Sequence, residues 1–121
     1  MSIYQFVLVF LGGGVGSLLR FLISLAVQKQ SIISFPWATL SANILSCIVL
    51  AFSMRIIQNS SWNDPMRLLL ITGFCGGLST FSTFSYESVT LFRFGNYFWA
   101  MANVFVNLIS CLGFLAFAFR K

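Results

Sequence analysis

Apolar residues run in four long blocks along the chain, interrupted by short polar stretches. A helix needs about 20 apolar residues to cross a bilayer. The blocks run from about Ile3 to Val27, Phe35 to Met54, Leu68 to Phe92 and Tyr97 to Phe119, and each is long enough. The pattern therefore predicts an all-α integral membrane protein with four transmembrane helices in one domain. No basic residue precedes the first block and no small-residue cleavage site follows a short apolar core, so that block reads as a span rather than a leader. The links are short. Gln28 to Ser34 joins the first pair, with Pro36 opening the next helix near its first turn. Arg55 to Arg67 joins the second pair, where Asn63-Asp64-Pro65 reads as a turn and helix start with Asp64 as candidate N-cap. Arg93 to Asn96 joins the last pair.

Composition agrees with this pattern. Of 121 residues, 59% are hydrophobic and 7% charged, and the mean hydropathy is +0.94. A soluble domain carries about a quarter charged residues, so lipid is the matching solvent. The only acidic residues are Asp64 and Glu87, and histidine is absent. That removes a histidine base, a His-containing metal site and a flanking carboxylate pair, and with them most enzyme readings. Cys47, Cys75 and Cys111 each sit in an apolar stretch and read as buried thiols acting as small hydrophobes. The net charge is +5, but the basic residues mark the ends of apolar runs, as in loops near lipid headgroups. No basic run interleaved with aromatics suggests nucleic acid as a partner.

With four spans, the termini and the middle loop share one side of the membrane. That side holds Arg55, Arg67, Arg120 and Lys121; the other holds Lys29 and Arg93, with Arg20 in the helix nearer it. This bias is small on the positive-inside rule. It leaves two readings open: one fixed orientation, or insertion both ways as an antiparallel dimer.

Polar residues inside spans are costly and face each other, a partner or a water-filled path. Thr39, Asn43 and Ser46/Cys47 form one stripe at helical spacing in the second span, and Asn103, Asn107 and Ser110/Cys111 form another in the fourth. Such donor-rich, acid-poor stripes suit an anion; interhelical hydrogen bonding is the plainer alternative. In the first span, Gly12 and Gly16 have the small-xxx-small spacing that lets helices touch. Arg20 is either a snorkelling side chain or a fixed positive charge at a vestibule. The third span carries Gly73-Phe74-Cys75-Gly76-Gly77-Leu78-Ser79-Thr80-Phe81-Ser82-Thr83-Phe84. Gly76-Gly77 weakens a helix at mid-membrane, and the hydroxyls that follow compete for backbone partners. The segment is therefore expected to be a helix broken at its centre, whose freed carbonyls suit a cation and whose freed N–H groups suit an anion. Phe81 and Phe84 share a face, and their weakly positive ring edges suit a small anion. Glu87 is a functional candidate, with an ion pair to Arg20 or Arg67 as the alternative.

These residues resemble the Fluc (CrcB) family of fluoride channels over nearly the whole chain. Gly12-Gly13-x-x-Gly16-Ser17-x-x-Arg20-Phe21 is similar to the family's GGxxGAxxRY, with Ser and Phe replacing Ala and Tyr. Thr39-Leu40-x-x-Asn43 is similar to its TLxxN core, flanked here by Ala38 and Ser46. The run from Gly73 to Phe84, with Glu87 beyond it, resembles the family's most diagnostic stretch. The resemblance implies an antiparallel, dual-topology homodimer in the cell membrane with two narrow fluoride pores, passing fluoride out down its gradient. It implies a structural sodium ion at the dimer centre, held by the backbone carbonyls of Gly76 and Ser79. It also implies that Asn43 donates to fluoride, that Phe81 and Phe84 present ring edges to it, and that Thr80, Ser82 and Thr83 line or brace the path. Arg20 would serve a vestibule or packing role. The family's fourth helix often carries a Tyr and Ser track, where this chain has Asn103, Asn107 and Cys111. Some family members work only as paired, non-identical chains. Two readings from other classes remain: a proton-coupled small multidrug exporter using Glu87, and a non-transporting membrane subunit.

Overall fold

A computed structural model describes residues 1–28, 35–59 and 64–120. Lys29 and Lys121 of the charge count, and Asn63 of the expected turn, lie outside the described residues. The described residues form helices α1 (Ile3–Gln28), α2 (Trp37–Asn59), the single turn α3 (Asp64–Arg67), a π-helical segment (Leu68–Cys75), the short α4 (Gly76–Leu78), α5 (Phe81–Arg93) and α6 (Tyr97–Ala118). By length and composition four stretches can cross a membrane: Ile3–Gln28, Trp37–Gln58, Asp64–Arg93 and Tyr97–Ala118. This is a multi-pass membrane architecture.

Local sequence explains the ends. The carbonyl of Pro36 accepts the N–H of Leu40 at 3.2 Å, so the proline stands where the first turn of α2 begins. Asp64 lies within the first turn of α3, where a carboxylate complements the helix dipole. Gly95 has φ +80°, the left-handed conformation that closes α5 and turns the chain into α6.

Two packed seams hold the bundle. In the first, α1 lies against the π segment and α4 with no side chains between the backbones. A Cβ on Gly12 would meet the carbonyl oxygen of Leu69, one on Gly16 that of Phe74, and one on Gly77 that of Gly13. In the second seam, α2, α5 and α6 meet through polar side chains: Thr39, Thr80, Asn103 and Asn107 are all buried. Most large apolar residues point outward instead, among them Phe10, Leu18, Phe52, Phe98, Ile109 and Phe117. An apolar exterior around a polar seam suits a lipid surround, where the outer face need not be hidden from water.

The third span leaves helical geometry at Ser79 (φ −77°, ψ 154°) and Thr80 (φ −151°, ψ 122°). The glycine pair that carried the sequence expectation is itself helical. Hydroxyl competition acts one step later. The Ser79 N–H and Oγ both turn to the carbonyl of Cys75, at 3.0 and 2.9 Å. Thr80 Oγ1 accepts the N–H of Thr83 at 3.2 Å and so caps α5.

Candidate functional site

Beside Ser79 and Thr80 opens a groove with a cavity volume of about 220 Å³, to which α2, α5 and α6 all contribute. Asn43, Cys47, Ser79, Thr80, Phe81, Phe84, Asn107, Leu108 and Cys111 line it. Of the residues picked out from the sequence, Asn43, Ser79, Thr80, Phe81, Phe84 and Asn107 thus come together.

A directed chain of hydrogen bonds underlies the groove. The Thr80 N–H donates to Asn43 Oδ1 at 2.9 Å. Asn43 Nδ2 donates to Asn107 Oδ1 at 3.0 Å. Asn107 Nδ2 donates to Asn103 Oδ1 at 2.8 Å and to the Asn103 carbonyl at 2.9 Å. Asn103 Nδ2 donates to Ser88 Oγ at 2.9 Å, and the Ser88 hydroxyl donates to the carbonyl of Phe84 at 2.8 Å. Backbone groups fix the sense of every amide. The Thr80 N–H can only donate, so Asn43 must face it with oxygen. The Asn103 carbonyl can only accept, so Asn107 must face it with nitrogen. Asn43 Nδ2 carries a second hydrogen with no partner among the described residues, and Asn43 lines the groove.

Phe81 and Phe84 sit side by side, ring centroids 5.7 Å apart at 46°. Phe84 is 8% exposed and Phe81 76% exposed. One ring is therefore part of the wall, and the other stands clear of this chain.

The remaining sequence candidates lie around the groove rather than in its lining. Asn103 is fully buried behind Asn107. Thr83 and Ser82 flank Thr80, whose Oγ1 lies 3.1 Å from Thr83 Oγ1 and 3.3 Å from Ser82 Oγ. Arg20 sits half-buried on α1, away from the lining. Thr39 Oγ1 donates to Glu87 Oε1 at 2.7 Å. The other carboxylate oxygen, Oε2, is buried with no partner among the described residues, so an ion pair to Arg20 or Arg67 is not what holds Glu87. Thr39→Val keeps the shape but leaves both carboxylate oxygens without a donor. It is expected to destabilise the fold by about 1–3 kcal/mol, read as a lowered midpoint for unfolding in detergent. An unchanged midpoint would mean that the bond contributes nothing net.

Two groove residues are corrections to the sequence reading. Cys47 and Cys111 were expected as buried hydrophobes, but both are half-buried and line the groove. Cys75 is buried as expected. The available signal was spacing, since each groove cysteine follows its stripe asparagine by one helical turn. Ser46, the alternative at the same turn, points inward and donates to the Cys75 carbonyl at 3.0 Å. Ser88 was missed; its role depends on contact with α6, which the spacing within α5 does not reveal.

The carbonyls of Gly76 and Ser79 share one property. In a continuous α-helix they would accept the N–H groups of Thr80 and Thr83. Those two N–H groups go to Asn43 Oδ1 and Thr80 Oγ1 instead. Both carbonyls have therefore lost their α-helical donors, which fits them to a hard cation with oxygen ligands.

Comparison with known proteins now decides the family. The family described as CrcB-like protein, Camphor Resistance (CrcB), matches residues 7–119. The chain belongs to the CrcB family. CrcB relatives include a fluoride-specific ion channel FluC of Phocaeicola vulgatus, 44% identical over 90 residues, covering 74% of each chain. Another, of the same name from Serratia proteamaculans, is 42% identical over 112 residues, covering 92% of this chain and 87% of the relative. A FluC of Escherichia coli is 42% identical over 114 residues with the same coverage. The groove, the extended pair Ser79–Thr80 and the glycine seam all fall inside the matched CrcB region.

Proposed function

We propose that this chain is a fluoride-selective channel that lets fluoride leave the cell passively, down its gradient, through a path along the Asn43–Thr80–Phe81 groove. The observation that carries this reading is the groove itself: an acid-free lining whose amides are held with a donor hydrogen left over. Fluoride holds its water tightly, so a filter must offer replacement donors at short range. A free Asn43 N–H and the ring edges of Phe81 and Phe84 are such partners, with Thr80, Ser82 and Thr83 bracing the turn. Family membership and relatives named as fluoride-specific channels support the same reading. It is a transport function, not an enzymatic one.

In this reading Ser79–Thr80 is the break in the third membrane helix, and the working unit is an antiparallel, dual-topology homodimer in the cell membrane. The large exposure of Phe81 supports a second copy over this face, because the groove lacks a wall there. A sodium ion at the dimer centre, held by the carbonyls of Gly76 and Ser79, would supply the charge that pins the two copies together.

Fluoride efflux from liposomes containing only the purified protein, read with an ion electrode beside a chloride control, tests the proposal. Fast fluoride flux with negligible chloride flux is the expected result. No flux from well-folded protein would overturn the self-sufficient channel and point to a paired, non-identical chain. Phe81→Ile is expected to cut the flux about tenfold with the dimer intact on gel filtration, the loss of about 1.4 kcal/mol of anion–ring contact. Unchanged flux would make this ring packing alone.

A further inference from the structure

The stripes of α2 and α6 stack in register. One membrane crossing, the third span, separates these helices, so they run in the same direction. Asn43 pairs with Asn107 at 3.0 Å. One turn further along each helix, about 5.4 Å, come Cys47 and Cys111. Both line the groove, at the same level one turn beyond the Asn43–Asn107 pair. They are not joined as a disulfide.

We propose that Cys47 and Cys111 form a two-thiol site for a soft, two-coordinate metal ion of the mercuric type, and that its occupation closes the groove. The channel function of the groove underlies the closing; the binding stands without it. Sulfur ligands select soft ions over hard ones. Besides the two thiols, the groove lining consists of neutral amides, hydroxyls, two phenylalanines and Leu108, with no carboxylate or imidazole side chain to compete for the ion. On binding, each thiol releases its proton to water in the groove, and the two thiolate sulfurs bond to Hg²⁺. Two negative charges meet one doubly positive ion, so the product is neutral, as a low-dielectric site requires. No electron is transferred. The bound ion then lies one turn from Asn43, bridging α2 to α6 across the path.

The third cysteine is a built-in control. Cys75 is buried, does not line the groove, and engages its neighbours through its backbone carbonyl. Hg²⁺ is titrated into the purified Cys75→Ala protein, with the thiolate-to-mercury ultraviolet absorption and the remaining free thiols as readouts. Saturation at one Hg²⁺ per chain with both thiols consumed is expected. Cys47→Ala and Cys111→Ala, each in that background, should bind at least about 100-fold more weakly, because the second ligand no longer acts intramolecularly. Saturation at two Hg²⁺ per chain, or equal affinity in either single variant, would overturn the site. In liposomes, loading is expected to cut fluoride efflux at least about tenfold, with recovery on adding a dithiol chelator; undiminished efflux from mercury-loaded protein would overturn the closing role. Apo protein without fluoride flux would count against the channel reading alone, since the binding stoichiometry is read independently.

Discussion

Asn43→Asp is expected to reduce fluoride efflux about a thousandfold at neutral pH while the protein still elutes as one species. The oxygen that accepts the Thr80 N–H survives the change. The nitrogen that donates to Asn107 does not, and a carboxylate oxygen then faces Asn107 Oδ1 where the structure has a 3.0 Å hydrogen bond. The spare donor hydrogen is lost as well. Beside an anion path the new charge acts most strongly. Two like charges about 4 Å apart repel by about 4 kcal/mol at an effective dielectric near 20, and each 1.4 kcal/mol is about a tenfold effect. Ion-electrode efflux from liposomes measures it. Wild-type conduction in this variant would take Asn43 out of the path.

Gly77→Ala is expected to destabilise the fold by about 3 kcal/mol, with Gly14→Ala within about 1 kcal/mol of wild type. The difference lies in what a methyl group would touch. At Gly77 it meets the Gly13 carbonyl oxygen first and then the Gly13 backbone carbons at 3.0 and 3.1 Å. Backbone cannot move aside as a side-chain tip can, so α1 must lift away from α4, and such overpacking costs about 1–3 kcal/mol. At Gly14 there is nothing within 4 Å, and replacing a mid-helix glycine by alanine even favours the helix by about 0.5–1 kcal/mol. Unfolding of both variants in detergent compares them directly. Equal losses would mean that the glycine seam does not hold α1 in place.

The four spans were legible because lipid imposes a length of apolar chain that few other structures need. The Asn43 and Asn107 stripes were legible because residues four apart share a helix face. Which of two adjacent residues faces the groove was not. Ser46 and Cys47 differ by a single helical step, and only the position of the Cys75 carbonyl decides that Ser46 turns inward. The place where the third span leaves the helix was also off by a few residues. Glycine's low helix propensity pointed at Gly76 and Gly77, but tertiary packing uses Gly77 for close approach to α1 and keeps it helical. The hydroxyls of Ser79 and Thr80, also read from the sequence, have the stronger local effect. The facing of Cys47 and Cys111 depends on the register of two helices 64 positions apart, which no single stretch encodes.

The amides from Asn43 through Asn107 to Asn103 behave as a row of compass needles clamped at both ends. One clamp is a backbone N–H at Thr80, and the other is a pair of backbone carbonyls, at Asn103 and Phe84. No needle can turn by itself, because a reversed Asn107 would set nitrogen against nitrogen on one side or oxygen against oxygen on the other. The polarity of the groove floor is therefore permanent. On the proposed path an ion would meet the same field at every arrival, and the floor has no reversed setting short of unwinding the start of α5.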